Sequence, residues 1–186
     1  LRRRSKPGRR KRVLDDSDIV ALWRATADGS PYSALLRFLL LTGLYLLGIW
    51  YAVAFIRSPE DVTLFWPAAG IGFAAVLRFG WRWSVFIPVA LLIAHMTFVP
   101  VPGAFIPFSV LANFLGPLAG VYTLHASGVL PRISVASGFA MLRGGLAMVL
   151  VSAVIGTVGL VYSGMVPREA LWPSLMTWCM GDLLDN

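Results

Sequence analysis

From Leu35 onward the chain is a succession of apolar runs separated by short polar breaks. Six runs can be drawn: Leu35–Phe55, Val62–Phe79, Ser84–Val99, Ala104–Ala126, Gly144–Ser163 and Leu171–Leu184. Crossing a bilayer as a helix takes roughly 20 apolar residues, with a range of about 17–25. The first, fourth and fifth runs meet that length. The third is short, the sixth meets the end of the chain, and residues 62–99 could form two full spans or re-entrant segments. The breaks are short, so successive helices are expected to be antiparallel neighbours. The pattern therefore predicts an all-α fold, a polytopic membrane bundle of about six transmembrane helices.

The first 34 residues read differently. Residues 1–13 are basic, contain Pro7-Gly8 and are expected to be disordered. Asp15, Asp16, Ser17 and Asp18 offer N-cap chemistry for a short helix running to about Ala27 and stopping at Asp28-Gly29. Ile19, Leu22 and Trp23 give that helix an apolar side, suited either to the membrane surface or to a solvated linker. The expected organisation is a basic arm with an amphipathic helix over 1–34 and a membrane domain over 35–186. The chain starts at Leu1 and stops at Asp185-Asn186, so the membrane domain is expected to be a fragment, truncated at its C-terminal end.

Composition strengthens the membrane reading. The 186 residues are 58% hydrophobic and 13% charged, with a mean hydropathy of +0.75. Soluble domains carry about 45–50% apolar and about 25% charged residues. Ten of the 16 Lys and Arg lie in the first 37 residues. The strongly basic balance could suggest nucleic acid, but the Arg2–Arg12 run lies upstream of a hydrophobic helix. Anionic lipid headgroups and the positive-inside rule account for it, so a nucleic-acid partner is not expected.

Charge also orients the chain. The basic arm is expected to be cytoplasmic. If every run spans, Arg78 and Arg82 in the second break and Arg132 and Arg143 in the fourth fall on the same side. The opposite breaks carry Arg57 with Glu60 and Asp61, then the uncharged Val99–Gly103, then Arg168 with Glu169. Adding or deleting one crossing would put a basic loop outside. Trp50, Trp66, Trp81, Trp83, Trp172 and Trp178 lie near the ends of the runs, as an aromatic belt requires.

Small residues point to close packing. Ala112, Gly116 and Gly120 recur at four-residue spacing in the fourth run, and Ser152 and Gly156 in the fifth. Such ridges let helices approach in lipid, where van der Waals contact replaces the hydrophobic drive. Pro67, Pro88, Pro107, Pro117 and Pro173 would start or kink helices.

Candidate chemistry is sparse. Polar groups inside a membrane are costly and mark function or structure. His95 is either a hydrogen-bonded packing residue or a ligand or proton contact. Asn113 could partner the carbonyl freed by Pro117, and His125 reads as interfacial. Asp182 closes the sixth run, where Arg78, Arg82 or Arg143 could pair with it. There is no phosphate-cradling glycine loop, no His-Glu-x-x-His and no Gly-x-Ser-x-Gly. Two histidines and the single Cys179 exclude an intrachain disulfide and an ordinary metal site without carboxylates. No catalytic residue, metal or cofactor is expected within this chain.

Three motifs carry a resemblance. Trp66-Pro-Ala-Ala-Gly-Ile-Gly72, followed by Ala74-Ala-Val-Leu-Arg-Phe-Gly80, resembles the signature of the first type of membrane-associated sensor (MASE) domain of bacteria. Asn113-Phe-Leu-Gly-Pro-Leu-Ala-Gly120 is similar to the fourth helix of that family, and Trp178-Cys-Met-Gly-Asp182 to its Trp-x-x-Gly-Asp motif. The likeness runs in order from about Leu35 to Asp182. The family usually continues after Gly-Asp with a small residue, a glycine and further spans, whereas here Leu183-Leu-Asp-Asn186 follows.

The resemblance implies a sensory input domain in the bacterial inner membrane. Its output would be a diguanylate cyclase, a cyclic-di-GMP phosphodiesterase or a histidine kinase of the two-component type, carried outside these residues. The implied signalling or ligand candidates are Trp66, Pro67, Gly70, Asn113, Trp178, Gly181 and Asp182, with His95 added from the residues themselves. Trp66 would stack on a ligand from the outer side, and Trp178 and Asp182 would couple to the output. The alternative is a small substrate-binding membrane subunit of a transporter. A third possibility is a scaffold that binds a homodimer or membrane-protein partner through its Gly and Ala ridges.

Overall fold

The structure, a computed structural model, describes residues 30–55, 66–128 and 135–183, with side chains through Met180 in the last segment. At Gly181 only the helical backbone is described. The basic arm, its expected short helix, Arg57, Glu60, Asp61, Arg132 and the side chain of Asp182 lie outside the described residues. So does the proposed pairing of Asp182 with an arginine. The chain divides into two compact units, one ending at Arg37 and the other comprising Phe38–Asn186. The second holds every contact described below.

Every regular element among the described residues is helical. The α-helices are α1 (Pro31–Phe55), α2 (Pro67–Phe79), α3 (Phe86–Thr97), α4 (Ile106–Ala126), α5 (Val135–Tyr162) and α6 (Leu171–Leu183), with 3-10 turns at Trp81–Val85 and Arg168–Ala170. Three of them, α1, α4 and α5, are long and apolar enough to cross a membrane. The Trp81–Thr97 segment is shorter. So is α2, at 13 residues or about 20 Å, against a hydrocarbon core of about 30 Å.

The exposed surface agrees with a membrane setting. Along α5, Leu142, Leu146, Leu150, Val154 and Val158 are exposed. The opposite face buries Gly144, Gly145, Ser152, Ala153, Gly156 and Thr157. A soluble helix hides its large apolar residues and shows polar ones; this helix is apolar all round and turns its small residues inward. That is the arrangement of a membrane protein.

Two boundaries differ from the sequence pattern. The fifth helix begins at Val135 rather than Gly144, so Arg143 lies within α5 and not in a loop. The segment 135–143 is helical although it carries a glycine and an arginine, because the Ala, Met and Leu around them are good helix formers. In α2 the helix starts at Pro67, whose missing N–H and fixed φ suit the first turn.

Contacts fix the relative directions. Gly48 of α1 meets Ala68 and Ile71, while Tyr45 meets Gly72, so α1 and α2 are antiparallel. Gly116 meets Met148 and Ser152, Gly120 meets Gly144, and Gly159 meets Phe108, so α4 and α5 are antiparallel too. By contrast, α2 and α4 are parallel: Trp66 meets Asn113, Gly72 meets Pro117 and Phe73 meets Gly120. Six residues beyond that last pair, Phe79 and Ala126 end the two helices together. At the other end α2 is recessed, because Trp66 stands level with Asn113, seven residues into α4.

The glycine ridge of α4 is consumed inside the chain. A Cβ on Gly116 would lie 3.2 Å from the Met148 carbonyl oxygen, and one on Gly120 only 2.7 Å from that of Gly144. Ala112 is fully buried on the same helix. The scaffold reading needed this ridge on an outer face; α5 covers it instead. The core beside it is built from Tyr45, Phe73, Val76, Phe86, Ile87, Leu91, Leu124 and Met148.

Candidate functional site

The recessed start of α2 brings polar groups from four helices together. Trp66 is the N-cap residue of α2 and makes no side-chain cap of its own. Its indole Nε1–H donates instead to Asn113 Oδ1 of α4 at 3.1 Å. The Tyr45 hydroxyl of α1 donates to the same oxygen at 3.3 Å. Asn113 Nδ2 donates to the Ser109 carbonyl oxygen at 2.9 Å. These partners settle the amide orientation, since an indole N–H can only donate and a carbonyl can only accept.

Ser109 extends the network to α3. Its Oγ lies 3.0 Å from His95 Nε2, and His95 Nδ1 lies 3.0 Å from the Val99 carbonyl oxygen. Because that carbonyl only accepts, Nδ1 carries a hydrogen. In the neutral ring Nε2 is then the acceptor, and the Ser109 hydroxyl donates to it. Protonation would reverse that bond, with Nε2–H donating and Ser109 Oγ accepting.

Burial gives the network its leverage. Tyr45 is fully buried and Ser109 is 5% exposed, whereas Trp66, His95 and Asn113 are half-buried. Hydrogen bonds in such a low-dielectric setting specify one packing, and an unmatched partner is costly there. The network ties α1, α2, α3 and α4 at one depth, so a change at Asn113 reaches all four.

The sequence candidates distribute unevenly over this arrangement. Trp66, His95 and Asn113 join in one network. Pro67 and Gly70 shape the first turns of α2 beside it, with Pro67 opening the helix. The Asn113 amide serves the Ser109 carbonyl and not the carbonyl freed by Pro117, which corrects that expectation. His125 is exposed at the far end of α4.

Trp178 stands elsewhere. It is half-buried in the middle of α6, with its ring over Gly156 of α5 and 6.5 Å from the Phe105 ring at an edge-on 63°. It therefore packs between α5 and the start of α4. A backbone route joins the two regions, since Ser109 N donates to the Phe105 carbonyl at 3.0 Å.

Sequence reasoning missed Tyr45 and Ser109. Tyr45 is a hydroxyl-bearing ring in the middle of an apolar run, and Ser109 sits four residues before Asn113, on the same helix face. Both signals were present but weak. Among the described residues no three of His, Cys, Asp and Glu gather as a metal site would require. No protein-family model matches the chain, nor does any curated protein or solved structure.

Proposed function

We propose that this chain is the membrane-embedded sensory input module of a bacterial signal-transduction protein, resembling the first type of MASE domain. It would be a multi-pass protein of the inner membrane with a cytoplasmic N-terminus and six crossings. The loop charges support that topology, and so do the antiparallel α1–α2 and α4–α5 pairs and the parallel α2–α4 pair.

The observation that carries the reading is the hydrogen bond between Trp66 and Asn113. These residues head two of the three motifs behind the resemblance, lie 47 positions apart, and meet at the junction of four helices. A stimulus that competes for Asn113 Oδ1 or for the His95–Ser109 bond would loosen α1 and α2 from α4. The tight α4–α5 contact and the Phe105–Trp178 contact offer a route to α6, and so toward a cytoplasmic output. Only a stimulus that favours one packing over another could transmit anything.

The deciding experiment is to sequence the native gene past Asn186 and to read the response of the full-length protein in an Asn113→Ala variant. A cyclase, phosphodiesterase or kinase domain whose response is altered by the variant supports the sensor. A coding sequence without any output domain, together with solute uptake that depends on Asn113, would sink it and favour the transporter subunit.

A further inference from the structure

The turn between α2 and α3 carries exposed charge that nothing among the described side chains neutralises. Arg78 closes α2 and Arg82 lies in the following 3-10 turn; both are exposed. Between them Trp81 is 69% exposed. Glu169 is the one carboxylate among the described side chains, and it lies in the Arg168–Ala170 turn near the end of α5, at the opposite end of the bundle.

The two guanidiniums are held by rings rather than by acids. The Arg78 guanidinium carbon lies 5.4 Å from the centre of the Phe79 ring, and that of Arg82 lies 5.7 Å from the Trp81 ring. Stacking on a ring face leaves the N–H edge of a guanidinium free to bind oxygen. The turn itself is firmly built. Gly80 adopts φ 90°, a left-handed conformation that glycine tolerates, and its N–H donates to the Val76 carbonyl. The Ser84 hydroxyl donates to the Trp81 carbonyl at 2.6 Å.

Depth places this turn where a headgroup would lie. Because Phe79 and Ala126 end their parallel helices together, the turn is flush with the end of α4. Exposed His125 and Arg143 lie at the same level, since Gly144 packs beside Leu124. Exposed tryptophan beside arginine at the end of a membrane helix is the composition of the headgroup layer.

We propose that Arg78, Trp81 and Arg82 form a binding site for one anionic phospholipid headgroup, with the two guanidiniums on its phosphate and Trp81 against its glycerol and upper acyl region. Charge complementarity selects the occupant: a zwitterionic lipid brings its own cation to the phosphate, whereas phosphatidylglycerol leaves the phosphate charge to the protein. The site is distinct from the basic N-terminal arm and does not depend on the sensory reading.

The test reconstitutes the full chain in phosphatidylcholine vesicles containing an equal small fraction of either brominated phosphatidylglycerol or brominated phosphatidylcholine. Quenching of Trp81 is obtained as the difference between the wild type and Trp81→Phe. The expected result is preferential quenching by the phosphatidylglycerol probe, with an enrichment of about fivefold for each arginine. The preference should vanish in Arg78→Gln/Arg82→Gln and survive in part in Arg78→Lys/Arg82→Lys, which keeps the charge but loses the fork. Neutralising Arg2, Arg3 and Arg4 in the arm should leave it intact. Equal quenching by the two probes, the outcome if a carboxylate of the chain holds these arginines, overturns the proposal. A preference that survives the double glutamine variant does so as well.

Discussion

Gly120 and Gly144 face each other across the α4–α5 contact. A Cβ on Gly120 would come 2.7 Å from the Gly144 carbonyl oxygen, and one on Gly144 would come 2.9 Å from the Gly120 carbonyl oxygen. Each glycine is small because the other's backbone occupies the space. Neither obstacle is a side chain that can swing away.

Gly120→Ala should therefore destabilise the protein by about 1–3 kcal/mol, the usual cost of overpacking. Gly43 and Gly138 have nothing within 4 Å of an added Cβ. Gly43→Ala and Gly138→Ala should be neutral or stabilising by up to about 1 kcal/mol, through helix propensity alone. Thermal unfolding of the three variants in one detergent checks the contrast. A Gly120→Ala variant as stable as the other two would show that helix propensity, and not the α4–α5 contact, governs that position.

Asn113→Ala removes the acceptor used by both Trp66 and Tyr45, while the Ser109 carbonyl keeps its helical bond from the residue 113 N–H. A loss of about 1–3 kcal/mol is expected, since two side-chain hydrogen bonds between helices are removed. Trp66→Phe deletes one donor and leaves the Tyr45 bond in place, so it should cost less. The double variant should cost less than the two single losses added together, because both act on one hydrogen bond. A strictly additive double variant would mean that Trp66 and Asn113 act independently.

Gly156 and Gly159 lie one turn apart on α5 but meet different obstacles. At Gly156 the obstacle is the far edge of the Trp178 ring, while at Gly159 it is the Phe108 Cβ, close to the backbone. Gly156→Ala should displace the Trp178 ring, shifting its emission with a modest loss of stability. Gly159→Ala should be the more destabilising, because Phe108 cannot yield without moving α4. Denaturation midpoints with tryptophan emission separate the two, and the reverse ranking would contradict the described packing.

The proposed six-crossing topology predicts opposite labelling of Ala104 and Ala126, which are both exposed and stand at opposite ends of α4. In a Cys179→Ser background, Ala104→Cys should react with an impermeant maleimide on intact cells. Ala126→Cys should react only after the membrane is opened. Labelling of both residues from one side would remove α4 from the list of spans.

The helices were legible because their cause is local. An apolar run of a given length must satisfy its own backbone hydrogen bonds in lipid, and a helix is how a single segment does so. That logic located six helices near their observed positions. It misjudged the start of α5, where Val135–Arg143 mixes glycine and charge with good helix formers. Trp66, His95 and Asn113 stood out for a related reason, as polar or amphipathic groups amid apolar sequence.

What the sequence by itself determined is the helical class, the apolar all-round character of α1, α4 and α5, and the short roster of polar residues available for chemistry. Tertiary structure decided who meets whom. Tyr45, Trp66, Ser109 and Asn113 join because α2 runs parallel to α4 and begins seven residues below its start. The ridge of Gly116 and Gly120 became an internal seam for the same kind of reason. Helix spacing along the chain states which face is small; only the packed register states which neighbour fills it, because van der Waals contact acts over a few ångströms between segments distant in sequence.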